Sequence, residues 1–502
     1  MSHEPAPSDH TPHPEPAELA ERASHRHIVV IGGGVGGLIA ARECVKVGMR
    51  VTLLEASDAV GGAIRRAALD GVVLDAGAES YATRGGHVRA LVTELGLADR
   101  IVTPAAGGAW VSGIPGVGAA PLPAGGILGI PSNPFQDDVR RVIGWSGVWR
   151  AYLDRVRPPL TIGHSHSLGR LVASRMGVKV RDRLVAPVTT GVYSASPDDV
   201  DVDVAAPGLN AALTSVGSLS GAVQALRDEG AARAAKAQTP GAAVEGLVGG
   251  MSVLSEALVA DIEKLGGVVH TGIRVTEVSR SGAAWSVRTD AEVDEQADLA
   301  ELTADGVVVA TSESVARELL GAAAPGLATT ETATAPAIEI VTLMLRPSAL
   351  TGAPRGTGVL TVPGSHTAKA LTHSTAKWEW VRRAAGDRHV VRVSFGTQGE
   401  PAATAALDDD GAARLALREA AALLGVPLRD EDLVAAHRAR FVQSQPASII
   451  GSGERREAAR AAVQAVPGLA AVGAWLAGTG LAQVVPDAVG EADRLRRALL
   501  WD

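Results

Sequence analysis

The chain is punctuated by short, wholly apolar runs set between stretches whose apolar residues recur every three or four positions. Residues 28–31 are a continuous apolar run, the pattern of a strand covered on both faces, and 51–54 reads as the next strand. Between them 38–47 reads as a helix stopped by Gly48. The same grammar returns late in the chain. Leu254, Leu258, Ile262 and Leu265 mark one face of a helix that Gly266 and Gly267 end. Strands are expected at 268–270, 273–278, 284–289 and 307–310, with a short one at 72–74. Two further apolar runs, 337–345 and 389–395, predict a second sheet. Helical spacing predicts helices over 87–97, 139–153 and 167–176. A C-terminal helix carries Val489, Ala492, Leu495 and Leu499, with Pro486 and Asp487 suited to its first turn. Residues 218–243 read as a helical or flexible insertion. Residues 1–26, rich in Pro, Glu, Ser and His, read as a disordered tail.

Composition narrows the function classes. A chain of 502 residues is too long for one core. Aromatics make up 3% against 46% hydrophobic residues, so Ala, Val, Leu and Gly fill the interior. A net charge of −8 and a pI near 5.9 argue against a nucleic-acid surface. The single cysteine, Cys44, excludes an internal disulfide and a cysteine-rich metal site, and its place inside the first helix favours packing. His3, His10, His13, His25 and His27 are irregularly spaced on the tail and do not make a metal set, so no metal is expected. No apolar run reaches the roughly 18 residues of a membrane span, and no signal-peptide core is visible. The expected compartment is the cytoplasm.

The chemistry starts at the first strand. Gly32, Gly34 and Gly37, with Gly33, Val35 and Gly36 between them, spell G-x-G-x-x-G directly after a buried strand and before a helix. The first glycine permits the turn, the second lets backbone approach a pyrophosphate, and the third lets helix pack on strand. Glu55, at the end of the second strand, is placed to accept from two ribose hydroxyls. This context predicts dinucleotide binding. Gly61 and Gly62 lie beyond the ordinary unit and allow the chain close to a cofactor. Arg65 or Arg66 there could neutralise a phosphate, or could be solvated on a surface turn. The segment Asp75-Ala76-Gly77-Ala78-Glu79-Ser80 follows the next strand.

Taken together, Glu55, the Gly61–Gly62 pair and the Asp75–Ser80 segment resemble the amine oxidase and protoporphyrinogen oxidase superfamily of FAD enzymes. Three further stretches extend the likeness. Arg183 to Asp198, with Pro187 and Gly191-Val192-Tyr193, is similar to the porphyrinogen oxidase signature, although as bare sequence it is a turn with one aromatic. Leu371 to Trp378 resembles the segment ending in Lys377-Trp378. Ala471 to Leu481, with Trp475, Gly478, Thr479 and Gly480, is similar to the turn whose following helix abuts the flavin pyrimidine. Two departures stand out: Gln445-Pro446-Ala447 lacks the family's tyrosine, and Gly85 replaces a lysine after Arg84.

The resemblance implies an α/β fold: a two-dinucleotide-binding-type FAD domain, a mixed-sheet substrate domain and a helical subdomain. It divides the chain into a tail (1–26), FAD-domain parts (27–90, 245–325 and 451–502), a helical substrate-side domain (91–244) and a substrate sheet (326–450). The implied cofactor contacts are Gly32 to Gly37, Glu55, Ala56, Gly62, Ala63, Arg65, Gly77, Ala78, Glu79, Ser80, Val275, Trp475, Thr479, Gly480 and Leu481. The implied activity is oxidation of coproporphyrinogen III to coproporphyrin III in heme biosynthesis. It proceeds as three two-electron steps, hydride leaving a meso bridge and oxygen becoming hydrogen peroxide. No catalytic base is assigned, since no Ser/His/Asp or paired-carboxylate arrangement is legible. Arg84, Arg183, Lys369, Lys377 and Arg392 are candidate partners for substrate propionates, and a downstream ferrochelatase is an implied transient partner. Protoporphyrinogen IX is the alternative substrate. Amine oxidases, carotenoid desaturases and a flavin-free binder like the Rab GDP-dissociation inhibitors are the competing readings of the fold.

Overall fold

Strands that are apolar on both faces need cover on both faces, and the first strand finds it. In the computed structural model, which describes residues 16–156, 165–236, 244–292, 298–332, 334–442 and 448–501, His27–Ile31 is the centre of a five-stranded parallel sheet. The order across it is Val268–Thr271, Arg50–Glu55, His27–Ile31, Gly306–Val309, Leu469–Ala471. The chain leaves the central strand toward one edge and returns on its other side much later. That reversal puts the topological switch point, where α/β sheets bind ligands, at the carboxyl end of His27–Ile31.

Helix Val35–Val45 is buried on nearly every side. It is enclosed by the sheet, by helix Ser252–Lys264 and by the C-terminal helix Leu481–Trp501. Cys44 is fully buried there, and burial pushes its thiol up to about 12. Arg42, 5% exposed, is the one buried charged residue of this helix. It donates to Asp261 (2.6 Å) on one neighbouring helix and to Glu94 (2.9 Å) on another. The other face of the sheet is covered by an antiparallel trio, Val275–Ser281, Ala284–Thr289 and Glu301–Ala304, around the buried Trp285.

The second sheet has seven strands, with Ala337–Leu345 and His389–Phe395 paired antiparallel inside it. Val341, Leu343, Val391, Val393 and Phe395 alternate onto one face and pack under helix Asp409–Leu424. The opposite face carries Thr342 and Arg392, which are cross-strand partners. Two of its strands, Ala109–Ile114 and Gly118–Pro121, come from the region that division by residue number gives to the helical domain. Pairing of Ala109–Ser112 with Gly358–Thr361 recruits them.

Three local expectations change and a fourth is narrowed. The tail is ordered from Pro16: helix Pro16–His25 buries Ala23, and Arg22 donates to the Leu500 carbonyl (3.2 Å), so the C-terminal helix supplies the apolar surface the tail lacks. His3, His10 and His13 lie outside the described residues. Pro486 sits inside helix Leu481–Trp501, not in its first turn, because Gly480 rather than the proline starts it. The signature stretch before Tyr193 is helical, with wide turns at Arg181–Val185 and Thr189–Tyr193, because Val180, Leu184, Val185 and Ala186 are all buried. Finally, 218–243 begins as a helix, Leu219–Lys236.

Replacing Arg42 by Met keeps the stem but strands Asp261 and Glu94 beside an apolar interface. Loss of two charge-assisted hydrogen bonds is expected to lower unfolding free energy by about 2 kcal/mol, read from urea denaturation.

Candidate functional site

Three glycine-bearing turns from distant parts of the chain meet at the carboxyl end of the first strand. Gly61 N–H donates to Gly33 O (2.8 Å), and Gly34 and Gly61 form an isolated parallel bridge. A Cβ on Gly62 would stand 3.3 Å from Gly34 Cα, and one on Gly36 would stand 3.3 Å from Gly473 N. These contacts place backbone against backbone. Gly37 is the tightest: its Cβ would lie 2.0 Å from the Gly32 carbonyl, and Gly32 itself turns at φ +107.

Two positions in this cluster differ in kind. A Cβ on Gly34 or on Gly480 would meet no atom within 4 Å. Neither glycine is therefore required by protein packing on that side, and both open onto a crevice. Gly62, Ala63, Arg65, Ala78 and Gly480 are exposed along it although they stand where domains meet. Arg65 donates to Gly62 O (3.1 Å) and lies 5.6 Å over the Phe441 ring.

At one end of the crevice Glu55 accepts from Gly33 N–H (2.6 Å) and from Ser57 N–H (2.8 Å). It thus ties the strand end to the glycine turn, with Ala56 exposed beside it. Ile273 N–H donates to Glu55 O, which brings the start of strand Val275–Ser281 alongside; Val275 is nearly buried there. At the other end, Trp475 is 5% exposed in the core, its indole N–H without a partner. Thr479 and Leu481 are half-buried beside Gly480.

The Asp75–Ser80 segment crosses between the two sheets, with Ser80 half-buried at its end. Ala78 N–H donates to Ala63 O, and a Cβ on Gly77 would lie 2.0 Å from that same carbonyl. Glu79 accepts from Lys377 Nζ (2.6 Å) and Arg392 Nη1 (3.0 Å). Burial alone would raise its pKa, but the charges of Lys377 and Arg392 outweigh that and hold it at about 2. Arg392 also donates to the Ala76 and Gly77 carbonyls, fixing the backbone that borders the crevice. What Glu79 presents to the crevice is therefore main chain rather than a free carboxylate. Asp75 is buried beneath this segment and accepts from Met251 N–H (2.8 Å) at the start of helix Ser252–Lys264. Burial pushes its carboxyl up to about 7, against the pull of that hydrogen bond.

The five candidate cations separate cleanly. Lys377 and Arg392 share one carboxylate, that of Glu79, which balances one of their two charges. Arg183 donates to Val142 O (3.1 Å), and Lys369, 8% exposed, donates to Ser194 Oγ (2.5 Å). Arg84 alone of the five is exposed without a bonded partner among the described residues, and its charge bears on the half-buried Tyr193 phenol. Gln445 to Ala447 lie outside the described residues. The Phe441 ring borders Gly77 and Arg65, a place that no local motif around it announces.

Two other features stand apart from the crevice. A polar cavity of about 840 Å³ involves Arg170, Asp198, Gln398 and Arg455 and shares no lining residue with the glycine turns. His166, Asp201 and Asp203 lie together, but Asp201 accepts from Asp203 N–H and Asp203 from Asn210, the bonds of a helix cap.

Residues 35–495 match the family described as flavin containing amine oxidoreductase. The chain belongs to that family. It is 30% identical over 477 residues to the coproporphyrinogen III oxidase of Mycobacterium bovis, covering 93% of this chain and 96% of that one. It is 26% identical over 475 residues to the enzyme of the same name from Bacillus subtilis, again covering 93% and 96%. Among solved structures, a protein of Exiguobacterium sp. provisionally assigned as a protoporphyrinogen oxidase superposes with a TM-score of 0.78 at 22% identity, over 95% of this chain and 99% of that one. The protein is thus a flavoprotein oxidoreductase with FAD as its cofactor. The crevice fits that group, since its open Cβ positions and backbone-lined walls leave room for a flat, extended dinucleotide. When bound, FAD supplies a two-electron acceptor. No helix among the described residues is long and apolar enough to cross a membrane.

Gly34→Val tests the crevice directly. With φ −66 and ψ 167 at Gly34 and open space beside it, valine is expected to abolish flavin absorbance while leaving far-UV dichroism unchanged, with melting equal to that of the flavin-free parent. Asp75 yields a pH prediction. Its folded pKa, about 7, lies above the ordinary carboxylate value near 4. The folded state therefore holds this proton more tightly, and stability from it drains as pH rises from about 4 through 7. Asp75→Asn removes that slope, so the melting temperature of the variant relative to the parent should climb by a few degrees across the same window.

Proposed function

We propose that this flavoprotein is a coproporphyrinogen III oxidase, converting its substrate to coproporphyrin III with oxygen as acceptor. The observation that carries the reading is similarity along nearly the whole chain to coproporphyrinogen III oxidases. Six hydrogens leave the macrocycle in three rounds, and three molecules of oxygen become three of hydrogen peroxide. The cofactor contacts we assign are the Gly32–Gly37 turn with Gly33, Val35 and Gly36, then Glu55, Ala56, Gly62, Ala63, Arg65, Gly77, Ala78, the Glu79–Ser80 backbone, Val275, Trp475, Thr479, Gly480 and Leu481.

The chain's own part is binding and orientation. Arg392 and Lys377, locked on Glu79, hold the Gly77–Ala78 backbone at a set distance from the crevice. Phe441 and the Arg65 stem border it with apolar surface. Arg84, exposed and with no carboxylate partner among the described residues, is the cation we assign to a substrate carboxylate. A propionate leaving bulk water needs such a cation, or its desolvation outweighs the contact it makes. No proton-transfer residue is assigned.

Coproporphyrinogen III presents four carboxylates and protoporphyrinogen IX two, so a cationic mouth should distinguish them. Prepared anaerobically and followed by porphyrin fluorescence as oxygen is admitted, coproporphyrinogen III is expected to give the higher kcat/KM and one peroxide per two electrons. Arg84→Ala should raise KM about tenfold, the cost of one charge-assisted contact, with flavin occupancy unchanged. An equal or better kcat/KM for protoporphyrinogen IX reverses the assignment.

A further inference from the structure

Under the Asp75–Ser80 segment two cations meet one anion. Glu79 accepts from Lys377 Nζ (2.6 Å), Arg392 Nη1 (3.0 Å) and Ser374 Oγ (3.3 Å). Its carboxyl is held at about 2 and is therefore ionised at neutral pH. The group is left with one positive charge that no carboxylate within it balances. The Lys377 ammonium lies 5.1 Å from the centre of the Trp378 ring, a contact that attracts the charge without cancelling it.

The surrounding carboxylates are already committed. Glu379, two residues past Lys377, pairs with Arg382 and Arg383 on the surface. Glu245, on strand Val244–Leu247 beside the Glu79 main chain, pairs with Arg89 and accepts from the Tyr81 hydroxyl. Asp70 pairs with Arg388. Asp75 is different: it is buried under the same segment and feels both Arg392 and Glu79. Its partners at the start of helix Ser252–Lys264 are the backbone N–H groups of Met251 and Ser252, not charges. Burial pushes its carboxyl up to about 7, so the four groups together keep one positive charge below that pH and none above it.

Burial and position make the unbalanced charge matter. The side chains of Lys377, Glu79 and Arg392 are 20%, 12% and 8% exposed, so salt screens them weakly. Holding the wall does not require both cations. Arg392 alone bonds Glu79 and the Ala76 and Gly77 carbonyls, whereas the Lys377 side chain reaches the wall only through Glu79. An unmatched buried cation costs desolvation, and the crevice beyond Gly77 and Ala78 is where a matching charge arises. Reduction of the flavin by hydride delivers two electrons and one proton, so a neutral ring becomes an anion. Charge fixed nearby in advance favours that outcome.

We propose that Lys377 and Arg392, matched by the single Glu79 carboxylate, give the crevice wall a net positive charge that stabilises reduced over oxidised flavin and so raises its reduction potential. Arg392 sets the position of the wall, and Lys377 supplies the charge that is left over. Asp75 modulates the effect, since its ionisation cancels that charge. The inference rests on the flavin contacts assigned to Gly77 and Ala78 and is independent of which porphyrinogen is oxidised.

The test is the two-electron reduction potential of the flavin-loaded protein, read against reference dyes with xanthine and xanthine oxidase as reductant. Lys377→Met should lower it: the ratio of affinities for reduced and oxidised flavin falls about tenfold, or about 30 mV for a two-electron couple. Lys377→Arg, which keeps the charge, should hold the parent value. Asp75→Asn reads the same charge from the other sign. At about pH 6, with Asp75 protonated, it should match the parent, and at about pH 8.5 it should lie above the parent, which alone gains an anion there. A purely structural lysine would change melting or flavin affinity without this split. An unshifted or raised potential in Lys377→Met overturns the proposal, as does an Asp75→Asn potential at the higher pH no greater than the parent's. Should Lys377→Met hold no flavin, Asp75→Asn decides alone. Retention of flavin by Gly34→Val would show the crevice itself to be misplaced and would take the proposal with it. Loss of flavin there, with unshifted potentials in the charge variants, overturns the charge effect and leaves the crevice standing.

Discussion

Backbone must touch backbone at the carboxyl end of strand His27–Ile31, and much of the architecture follows from meeting that demand. Gly33 against Gly61, Gly34 against Gly62 and Gly36 against Gly473 bring together segments from the start and the end of the chain. Any side chain at Gly37 would strike the Gly32 carbonyl. Because the parallel sheet reverses its strand order here, the turns converge where helix N-termini and unpaired N–H groups also gather. A crevice walled by main chain is the outcome, and it suits a long, flat, anionic cofactor better than a pocket of side chains would.

The second organising element is electrostatic. The Asp75–Ser80 segment has to be held between two sheets that share no strands, and the ion triad of Glu79, Lys377 and Arg392 does this. A buried pair is weak evidence for net stability, since desolvation cancels much of the attraction. Its value here is positional. Arg392 spends its remaining donors on the Ala76 and Gly77 carbonyls, so the register of the crevice wall is set by the substrate sheet.

The strand, glycine turn and helix at the start of the parallel sheet could be read from sequence because their signals are local. Glycine spacing, a buried strand before it and an acid after it are set within thirty residues, and Gly32–Gly37 and Glu55 occupy one turn as expected. The substrate end could not be read in the same way. Lys377 and Arg392 look like free cations in sequence, and only the fold brings Glu79 between them from three hundred residues away. Helix Pro16–His25 was hidden for a similar reason: Ala23 is buried by a C-terminal helix that the tail's own composition does not announce. The stretch before Tyr193 looks like a turn because its glycine and proline are strong local breakers. Burial of Val180, Leu184 and Val185 overrides them.

The placement of helix Leu481–Trp501 against helix Val35–Val45 bears on how the molecule is made. During synthesis helix Val35–Val45 leaves the ribosome with one apolar flank bare, and its partner helix follows more than four hundred residues later. Strand Gly306–Val309 likewise waits for Leu469–Ala471 to cover its free edge. The core of helix Val35–Val45 stays incomplete until Leu481–Trp501 is made, and the strand edge until Leu469–Ala471 is made, intervals in which a nascent chain is prone to aggregate. The cofactor crevice is finished only when Gly473 reaches Gly36, so capture of flavin waits on the meeting of segments more than four hundred residues apart in the chain.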